Sequence, residues 1–465
     1  MSRTNDNLAW LGTVPDHWQV LKLRQVLSSF SEKNHPDMPL LSVVREKGVI
    51  VRNVEDKDEN HNYVPDDLSG YKLVKRGQFA MNKMKAWQGS YGVSKFDGIV
   101  SPAYFVFDIN YDMNEDFFNR AIRSKVYVSY FGQASDGIRV GQWDLSMKRM
   151  KEIPFFLPPR EEQDQIVRFL DWKVSSINKL ISNYRHQIAF LDEMKQRRID
   201  EAVVKGMRKG TLAHNDDIRW DIDYPEHWQV QRIRESFSFR KGLSITKANL
   251  EETGIAVISY GQVHSKKNSG VALSEELIRY VNESYLTTNQ SCIVEKGDFI
   301  FADTSEDVAG CGNCAYIDWD DTIFAGYHSI IAHPDGSINN KYLAYLFKSP
   351  TWRYQIRKKV NGVKVYSITQ KMLKDAFILI PPIDEQEEII RYLDEVCAKI
   401  NVSIKRLEEK ISNLQDLKIR LVADAVTGKI DVRDVEIPDY EFIDEDADSD
   451  SDSEEDVEES EEQED

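Results

Sequence analysis

The sequence predicts an α+β protein in which two mixed α/β domains are linked by two long antiparallel coiled-coil helices, related by a pseudo-twofold internal repeat. The first observation is that residues 14–25, VPDHWQVLKLRQ, match residues 224–235, YPEHWQVQRIRE, at six of twelve positions. The second is that residues 155–181 match residues 378–404. Each repeat therefore has a matched start, a variable middle and a matched end.

Composition is that of a globular protein with an added acidic tail. Hydrophobic residues make up 41% of the chain, and no uncharged run approaches the ~18–20 apolar residues of a membrane span. The N-terminus lacks the apolar core of a signal peptide, and four cysteines in 465 residues fit a reducing compartment. We therefore expect a cytoplasmic protein with no membrane partner.

The net charge of −18 overstates the acidity of the body of the chain. Residues 444–465 contain 15 carboxylates and no Lys or Arg, so the rest of the chain is close to neutral. A segment of this composition is expected to be disordered.

Each variable middle is predicted to mix strands and helices. Strand-like runs at 103–109 and 254–260 lie among Gly, Asn and Asp turns, and residues 339–359 are predicted to be helical. Neither middle alternates regularly between the two patterns, which argues against a parallel dinucleotide-binding sheet.

Each repeat is predicted to end in a long helix. Pro-Pro pairs at 158–159 and 381–382 stop the preceding strand-like runs, and apolar heptad positions then extend over about 45 residues, or roughly 65 Å. Lys195 and Lys418 occupy the same a position, which can fix the register of two packed helices. The a and d positions of the first helix are Val167, Leu170, Val174, Ile177, Ile181, Tyr184, Ile188, Leu191, Lys195, Arg198 and Ala202. Those of the second are Ile390, Leu393, Cys397, Ile400, Ile404, Leu407, Ile411, Leu414, Lys418, Leu421 and Ala425.

Catalytic motifs are scarce. The chain has no GxxxxGK[ST] phosphate loop, no GxGxxG loop and no Asn/Asp-Pro-Pro-aromatic motif of an amino-methyltransferase. A Pro-Asp pair at 36–37, followed by Glu55 and Lys57, fits only a very degenerate nuclease metal pattern. His17 and His227, each beside a repeated Trp, are expected to be structural.

Cys311 and Cys314 have the spacing of two ligands of a zinc site, and Cys292, His328 or His333 would complete such a site. No second ligand pair has the expected spacing, so two buried thiols are favoured over a metal site.

Basic residues interleaved with aromatic residues indicate DNA binding. Residues 76–95 contain four basic residues and residues 352–366 contain five, and neither segment contains a carboxylate. Their counterparts in the other repeat are 302–316 and 137–151. Long donors beside aromatic rings and Gln suit phosphate contacts and base-edge readout. Recurrence at equivalent places of duplicated units strengthens that prediction.

Taken together, these features resemble the specificity (S) subunit of a type I restriction–modification system. The resemblance rests on the P-x-H-W-Q-V openings at 15–20 and 225–230 and on the blocks LPPREEQDQIVRFLD and IPPIDEQEEIIRYLD. AVVKG and AVTGKID close the two helices, and the resemblance covers roughly residues 12–434. In that family, two target recognition domains each read one half of an asymmetric, bipartite DNA sequence, and paired helices set the spacing.

The resemblance implies a domain plan and a set of partners. Expected partners are double-stranded DNA, two methyltransferase (M) subunits and translocase–nuclease (R) subunits, with S-adenosylmethionine, ATP and Mg bound by those partners. This chain is expected to be non-catalytic and to hold no cofactor or metal. The predicted parts are target recognition domain 1 (1–157), spacer helix 1 (158–206), a linker (207–223), target recognition domain 2 (224–380), spacer helix 2 (381–430) and an acidic disordered tail (431–465).

We predict DNA contacts in segments 82–91 and 137–149 of the first domain and in 260–267, 303–313 and 357–366 of the second. Lys and Arg are expected to bind phosphates, and Gln, Asn, Trp and Tyr to touch bases. The residues are Asn82, Lys83, Lys85, Trp87, Gln88, Tyr91, Arg139, Gln142, Lys148, Arg149, Tyr260, Gln262, Lys266, Lys267, Thr304, Ser305, Asn313, Arg357, Lys358, Lys359, Lys364 and Tyr366.

Two other functions are left open by the residues. One is a single-chain Mg-dependent nuclease using Glu55 and Lys57, and the other is a coiled-coil adaptor that does not bind DNA. The acidic tail has two interpretations as well: it keeps the protein soluble, or it mimics DNA and competes for basic segments.

Overall fold

The structure is a computed structural model that describes residues 14–45, 47–52, 65, 67–137, 143–215, 220–362 and 365–443. The chain forms two compact units. Unit 1 contains residues 1–185 and 408–465, and unit 2 contains residues 186–407. Each long helix begins in one unit and ends in the other, so neither unit matches a predicted contiguous domain.

Unit 1 is built from small antiparallel sheets and short helices. Its strands are β1 (Gln19–Lys22), β2 (Leu27–Phe30), β3 (Leu41–Val44), β4 (Gly48–Val51), β5 (Lys72–Val74), β6 (Phe79–Asn82), β7 (Tyr91–Val93), β8 (Gly98–Val100), β9 (Tyr104–Ile109), β10 (Ser135–Asp136), β11 (Asp144–Leu145) and β12 (Pro154–Leu157). Its helices are α1 (Leu23–Val26), α2 (Glu115–Ile122), α3 (Lys125–Gln133), α4 (Met147–Met150) and the first part of α5 (Arg160–Lys205). The largest sheet has the order β2-β9-β6-β7.

Unit 2 has the same plan with larger sheets. Its strands are β13 (Leu212–Asn215), β14 (Ile222–Pro225), β15 (Gln229–Arg232), β16 (Phe237–Lys241), β17 (Leu250–Glu251), β18 (Ile255–Ile258), β19 (Arg279–Val281), β20 (Ile293–Val294), β21 (Phe299–Ala302), β22 (Thr304–Ser305), β23 (Cys314–Tyr316), β24 (Ile323–Ala325), β25 (Ser329–Pro334), β26 (Tyr366–Ser367) and β27 (Phe377–Ile380). Its helices are α6 (Tyr260–His264), α7 (Tyr285–Thr288), α8 (Asn340–Lys348), α9 (Pro350–Arg357), α10 (Gln370–Lys374) and the first part of α11 (Ile383–Val426). The two main sheets are β16-β25-β21-β23 and β17-β19-β18-β24-β20.

In both units, the strand that begins within the opening motif pairs with the strand that precedes the long helix. β1 pairs antiparallel with β12, with Gln19 opposite Leu157. β15 pairs antiparallel with β27, with Gln229 opposite Ile380. The matched start and end of each repeat are therefore adjacent in space, and the variable middle is the part of the chain that connects them.

The two long helices are continuous over 46 and 44 residues. In unit 1 the start of α5 and the end of α11 share one core, which contains Leu170 and Val426. In unit 2 the end of α5 and the start of α11 share another, which contains Val203 and Leu393. Start-to-end packing of this kind is antiparallel.

The predicted heptad is wrong at Arg198, because that side chain is exposed and Ile199 is buried instead. At this point α5 packs against the sheet core of unit 2 as well as against α11. A two-helix heptad cannot anticipate a third partner, so the buried position shifts by one residue. Lys195 at the shared a position reaches the edge of the pair, where its Nζ lies 3.2 Å from the Asn401 side-chain oxygen.

The prediction that residues 339–359 are helical is confirmed, although the stretch forms two helices, α8 and α9, with a break at Ser349. The Ser349 hydroxyl accepts a hydrogen bond from the Trp352 amide (3.0 Å), and Pro350 stands at the first position of the new helix. Since proline has no N–H to donate to the preceding turn, it starts a helix more readily than it continues one.

Disorder predicted from residue 431 is wrong for residues 431–443, which pack along α5 within unit 1. Val432 is buried, and Val435 and Ile437 pack against the same core. The side-chain amide of Gln165 donates to the carbonyls of Val432 (3.1 Å) and Val435 (2.8 Å). Residues 444–465 lie outside the described part of the chain. No helix in the described ranges is both long enough and apolar enough to cross a membrane.

Candidate nucleic-acid interface

The repeated HWQV motif is a structural anchor in both units. In unit 1, Trp18 Nε1 donates to Glu162 Oε1 (3.0 Å) and His17 Nε2 lies 2.7 Å from Glu162 Oε2. In unit 2, Trp228 and His227 make the same two contacts with Glu385, at 3.0 and 2.7 Å. Both carboxylates are buried. The expected structural role of the two histidines is confirmed by this geometry.

The glutamine that follows each anchoring glutamate fixes the loop before the long helix. Gln163 donates to the Pro158 carbonyl (2.9 Å) and accepts from the Asn114 amide (2.9 Å). Gln386 donates to the Pro381 carbonyl (2.8 Å) and accepts from the Asn339 amide (2.9 Å). The Pro-Pro-x-x-Glu-Gln block is thus a docking element, and the chemistry of the protein must be sought in the variable middles.

In unit 1, the two segments predicted to bind DNA lie side by side. The Leu145 amide donates to the Lys83 carbonyl (3.1 Å), and Lys83 Nζ lies 3.0 Å from Asp144 Oδ2. The rings of Trp87 and Trp143 are 5.1 Å apart between centroids. Two segments whose contacting residues, such as Lys83 and Asp144, are 61 positions apart therefore form one basic and aromatic surface.

The charged side chains around this surface are solvent-accessible. Lys85 and Lys148 are exposed. Arg149 forms an ion pair with Asp136, and its hydrogen bond lowers the pKa of that carboxyl. The amide of Asn82 reaches the Tyr104 hydroxyl (3.4 Å), and Gln88 is half-buried.

In unit 2, the three predicted segments also converge. His264 Nε2 lies 2.8 Å from the Thr304 carbonyl, and its Nδ1 lies 3.1 Å from the Asn313 side-chain nitrogen. Strands β22 and β26 pair, with Ser305 opposite Tyr366. A guanidinium nitrogen of Arg357 donates to the Ala309 carbonyl. The segments 260–267, 303–313 and 357–366 therefore lie next to one another.

Both surfaces are built on one backbone framework. In unit 1 the residue after β6, Lys83, accepts through its carbonyl from Leu145; in unit 2 the residue after β21, Asp303, accepts from Ile368 (2.7 Å). Trp143 and Tyr366 each precede the donor by two residues. The same scaffold therefore presents a lysine and tryptophans in unit 1, and an aspartate, a tyrosine and histidines in unit 2.

Two of the predicted contacts are corrected by burial. Tyr91 is fully buried and packs on Phe131, with ring centroids 4.6 Å apart, and burial strongly raises the pKa of its hydroxyl. Ser305 is buried and donates to the Asp307 carbonyl (2.8 Å). Neither side chain reaches the surface. Successive side chains of a strand point to opposite faces, so every second side chain of these segments points into the core.

Several other residues predicted to bind DNA form hydrogen bonds or ion pairs within unit 2. Gln262 accepts from the Ser259 amide (3.1 Å) at the start of α6, Lys267 pairs with Glu276, and Lys359 donates to the Met372 carbonyl (3.3 Å). Lys266 and Lys358 are exposed. Arg139, Gln142 and Lys364 lie outside the described residues, as do Glu55 and Lys57 of the nuclease alternative.

The pattern search missed four aromatic or imidazole side chains at these surfaces: Trp143, His264, Tyr327 and His328. Tyr260 packs edge-on against Tyr327 and His328, with centroid distances of 5.5 Å in both cases. Trp143 and His264 lay within the predicted segments 137–149 and 260–267. The two residues at 327–328 belong to a turn between apolar strands, far in sequence from any basic run.

The thiols of Cys311 and Cys314 are buried in the core of unit 2, in line with the buried-thiol interpretation. Burial raises the pKa of Cys314 to about 12. Among the described residues, no group of three or more His, Cys, Asp and Glu side chains has a metal-binding arrangement.

Comparison with known proteins adds independent evidence. Residues 225–413 match the family model for the type I restriction modification DNA specificity domain. The chain is 22% identical to the type I restriction enzyme MjaVIII specificity subunit of Methanocaldococcus jannaschii, over 67% of this chain and 69% of that protein. It is also 22% identical to the EcoKI specificity subunit of Escherichia coli strain K12, over 72% and 68%.

The fold has a counterpart among solved structures. A chain from a study of complex assembly and conformational transition of the type I R-M system aligns with a TM-score of 0.59 at 16% identity, covering 90% of this chain and 100% of that one. The predicted resemblance to type I specificity subunits is confirmed by these matches.

Proposed function

We propose that this chain, a type I restriction–modification specificity subunit, reads a bipartite and asymmetric DNA target, with one half-site for each unit. The observation that carries the proposal is the convergence of the predicted segments at one surface in each unit. In unit 1, Lys83 and the Trp87–Trp143 pair meet. In unit 2, Tyr260 and Thr304 both contact His328, and the strand of Tyr366 pairs with that of Thr304.

The side chains at each surface divide by chemistry. Exposed lysines such as Lys85, Lys148 and Lys266 suit phosphate oxygens, which position a protein on the duplex without reading its sequence. Each phosphate neutralised should steepen the dependence of log K on log salt by about 0.9. Trp143 and Tyr366, with the polar groups beside them, suit base edges. Because the two surfaces carry different side chains on the same framework, we propose that the two half-sites differ in sequence.

The long helices are proposed to set the spacing between the half-sites and to bind the partner subunits. Their middles carry exposed apolar side chains, including Phe190, Val402 and Leu417, which a partner could cover. We propose two methyltransferase subunits and translocase–nuclease subunits as these partners, with S-adenosylmethionine, ATP and Mg bound there. In this division of labour the present chain is the non-catalytic reader.

The proposal is tested by methylome sequencing of cells that carry this gene together with its partner methyltransferase gene. The expected result is adenine methylation at a two-part motif with a fixed gap. Methylation with no sequence preference would instead support a coiled-coil adaptor that does not bind DNA. Cleavage of DNA by the purified chain with Mg²⁺ and no partner would support the single-chain nuclease.

A further inference from the structure

His328 adopts a backbone conformation that its side chain disfavours. Its φ is 52°, and within the described residues only Asn34 among the other non-glycine residues also has a positive φ. In this left-handed region the Cβ atom crowds the neighbouring carbonyl, although His and Asn tolerate it better than most residues. A glycine would fit without that crowding.

The surrounding backbone holds the turn between β24 and β25 in place. The Gly326 amide donates to the Ile258 carbonyl (2.7 Å), the Tyr260 amide to the Tyr327 carbonyl (3.3 Å), and the Asp303 amide to the His328 carbonyl (3.0 Å). Ser329 Oγ donates to the Gly326 carbonyl (2.6 Å). A strained residue persists where its neighbours fix the conformation in this way.

The side chain that causes the strain is not needed to fill the core. Its exposed fraction is 58%. Its Nδ1 lies 3.2 Å from Asp303 Oδ1 and 3.3 Å from Thr304 Oγ1, and its ring meets Tyr260 edge-on at 5.5 Å. The turn therefore presents an imidazole to solvent among residues predicted independently to bind DNA.

We propose that His328 is a specificity-determining residue of unit 2 that contacts a base edge in duplex DNA, an inference that rests on the proposed function. The Asp303 carboxylate only accepts hydrogen bonds, so Nδ1 donates to it and Nε2 of the neutral ring is oriented as an acceptor. An acceptor at this position matches the exocyclic amine of adenine or cytosine. Asp303 is then a positioning residue that fixes the tautomer.

Unit 1 supplies an internal comparison. The equivalent turn, between β8 and β9, contains Pro102 and Ala103, both exposed, and no imidazole. The inference therefore concerns one half-site only, and the other half-site serves as a reference within every experiment.

The test uses His328→Gly in the full-length chain, expressed with its partner methyltransferase and read by methylome sequencing. We expect about a tenfold loss of discrimination between base pairs at one position of one half-site. The melting temperature of the purified variant should be unchanged or higher, because glycine relieves the crowding. Asn34→Gly, the same backbone change at an exposed position of unit 1, should leave both the motif and the melting temperature unaltered.

The outcomes separate the two levels of the proposal. A wild-type chain with no methylation motif would overturn the proposed function and this inference with it. A wild-type two-part motif that His328→Gly leaves intact would overturn the inference alone. A motif that changes together with a lower melting temperature would show that His328 is structural, and would also overturn it.

Discussion

Glu162 and Glu385 explain at the residue scale why the chain repeats its opening phrase. Each buried carboxylate receives a tryptophan N–H and contacts a histidine nitrogen, with the same distances in the two units. The glycine that follows the end of each long helix packs closely against the motif. A Cβ on Gly206, after α5, would lie 2.8 Å from Trp228, and a Cβ on Gly428, after α11, would lie 2.5 Å from Pro15. The motif therefore joins the start of a repeat to the first residues of one long helix and to the glycine that follows the other.

Glu162→Ala should destabilise unit 1. It leaves the buried Trp18 N–H without an acceptor, which costs about 1–3 kcal/mol, whereas Glu162→Gln keeps an acceptor and should lose less. Urea denaturation followed by tryptophan fluorescence measures the free energy of unfolding. The adjacent exposed Glu161 gives a matched control, and Glu161→Ala should change stability by less than about 0.5 kcal/mol. Equal effects of the two alanine variants would contradict the anchor.

The lowered pKa of Lys348 predicts that the stability of unit 2 depends on pH. Burial, with a smaller contribution from the nearby Arg353 guanidinium, lowers its pKa to about 8. Below that pH the lysine is charged in both the folded and the unfolded chain, so the full penalty of burying the charge applies. As the pH rises from about 8 towards 10.5, the ordinary pKa of a lysine, the folded chain loses the proton first and the wild type gains stability.

Lys348→Met should therefore raise the melting temperature most at pH 7, and its advantage should shrink towards pH 10. Melting curves of both proteins at pH 7, 8, 9 and 10 measure this, with the exposed Lys266→Met as a control expected to show no such trend. An advantage of Lys348→Met that stays constant across this range would contradict the lowered pKa.

At the element scale, the parts that local pattern determines were predictable. The long helices follow from apolar spacing without Gly or Pro, and the apolar runs before each Pro-Pro pair became β12 and β27. The candidate surfaces were predictable only as segments. Tyr91 has the composition of a base contact, yet strand alternation buries it. His328 lies in a sequence without a DNA-binding pattern, and the role we propose for it rests on the tertiary hydrogen bonds of its turn.

Residues 431–443 are a second case in which tertiary packing could not be predicted from local sequence. Their acidic composition predicts disorder, but Val432, Val435 and Ile437 are spaced to pack against the core of unit 1. Asn178 donates to the Ile443 carbonyl (3.1 Å) and the Ile443 amide donates to Ser175 Oγ (3.3 Å). Three apolar residues among carboxylates are a weak sequence signal, and the α5 surface that receives them is remote in the chain.

Ending the chain at Lys429 should therefore destabilise unit 1. Full burial of a residue such as Val432 contributes about 1.5–3 kcal/mol, and each kcal/mol shifts the melting temperature of a unit of this size by about 2–4 °C. A chain ending at Ile443 keeps the packed segment and is the matched control, expected to melt like the full chain. Equal melting temperatures for the two truncated chains would show that the segment adds no stability.

At the scale of the whole molecule, charge is divided between regions that have different expected effects on DNA. The net charge is −18, yet the residues before 444 are nearly neutral and carry the basic segments. The packed segment 431–443 attaches the acidic residues that follow it to unit 1. If this acidic segment mimics DNA, its covalent attachment gives it a high effective concentration in competition with DNA phosphates.

Deleting residues 444–465 should tighten DNA binding at low salt, because 15 carboxylates are removed from the chain. The gain should fade as salt rises, since screening shortens the range of charge interactions to about 8–10 Å near 0.1–0.15 M. Titration of the full-length and shortened chains with duplex DNA at several salt concentrations measures this. A third chain, with an uncharged Gly/Ser segment of the same length in place of 444–465, should bind like the shortened one if charge is the cause. Unchanged affinity at low salt would leave solubility as the role of the tail.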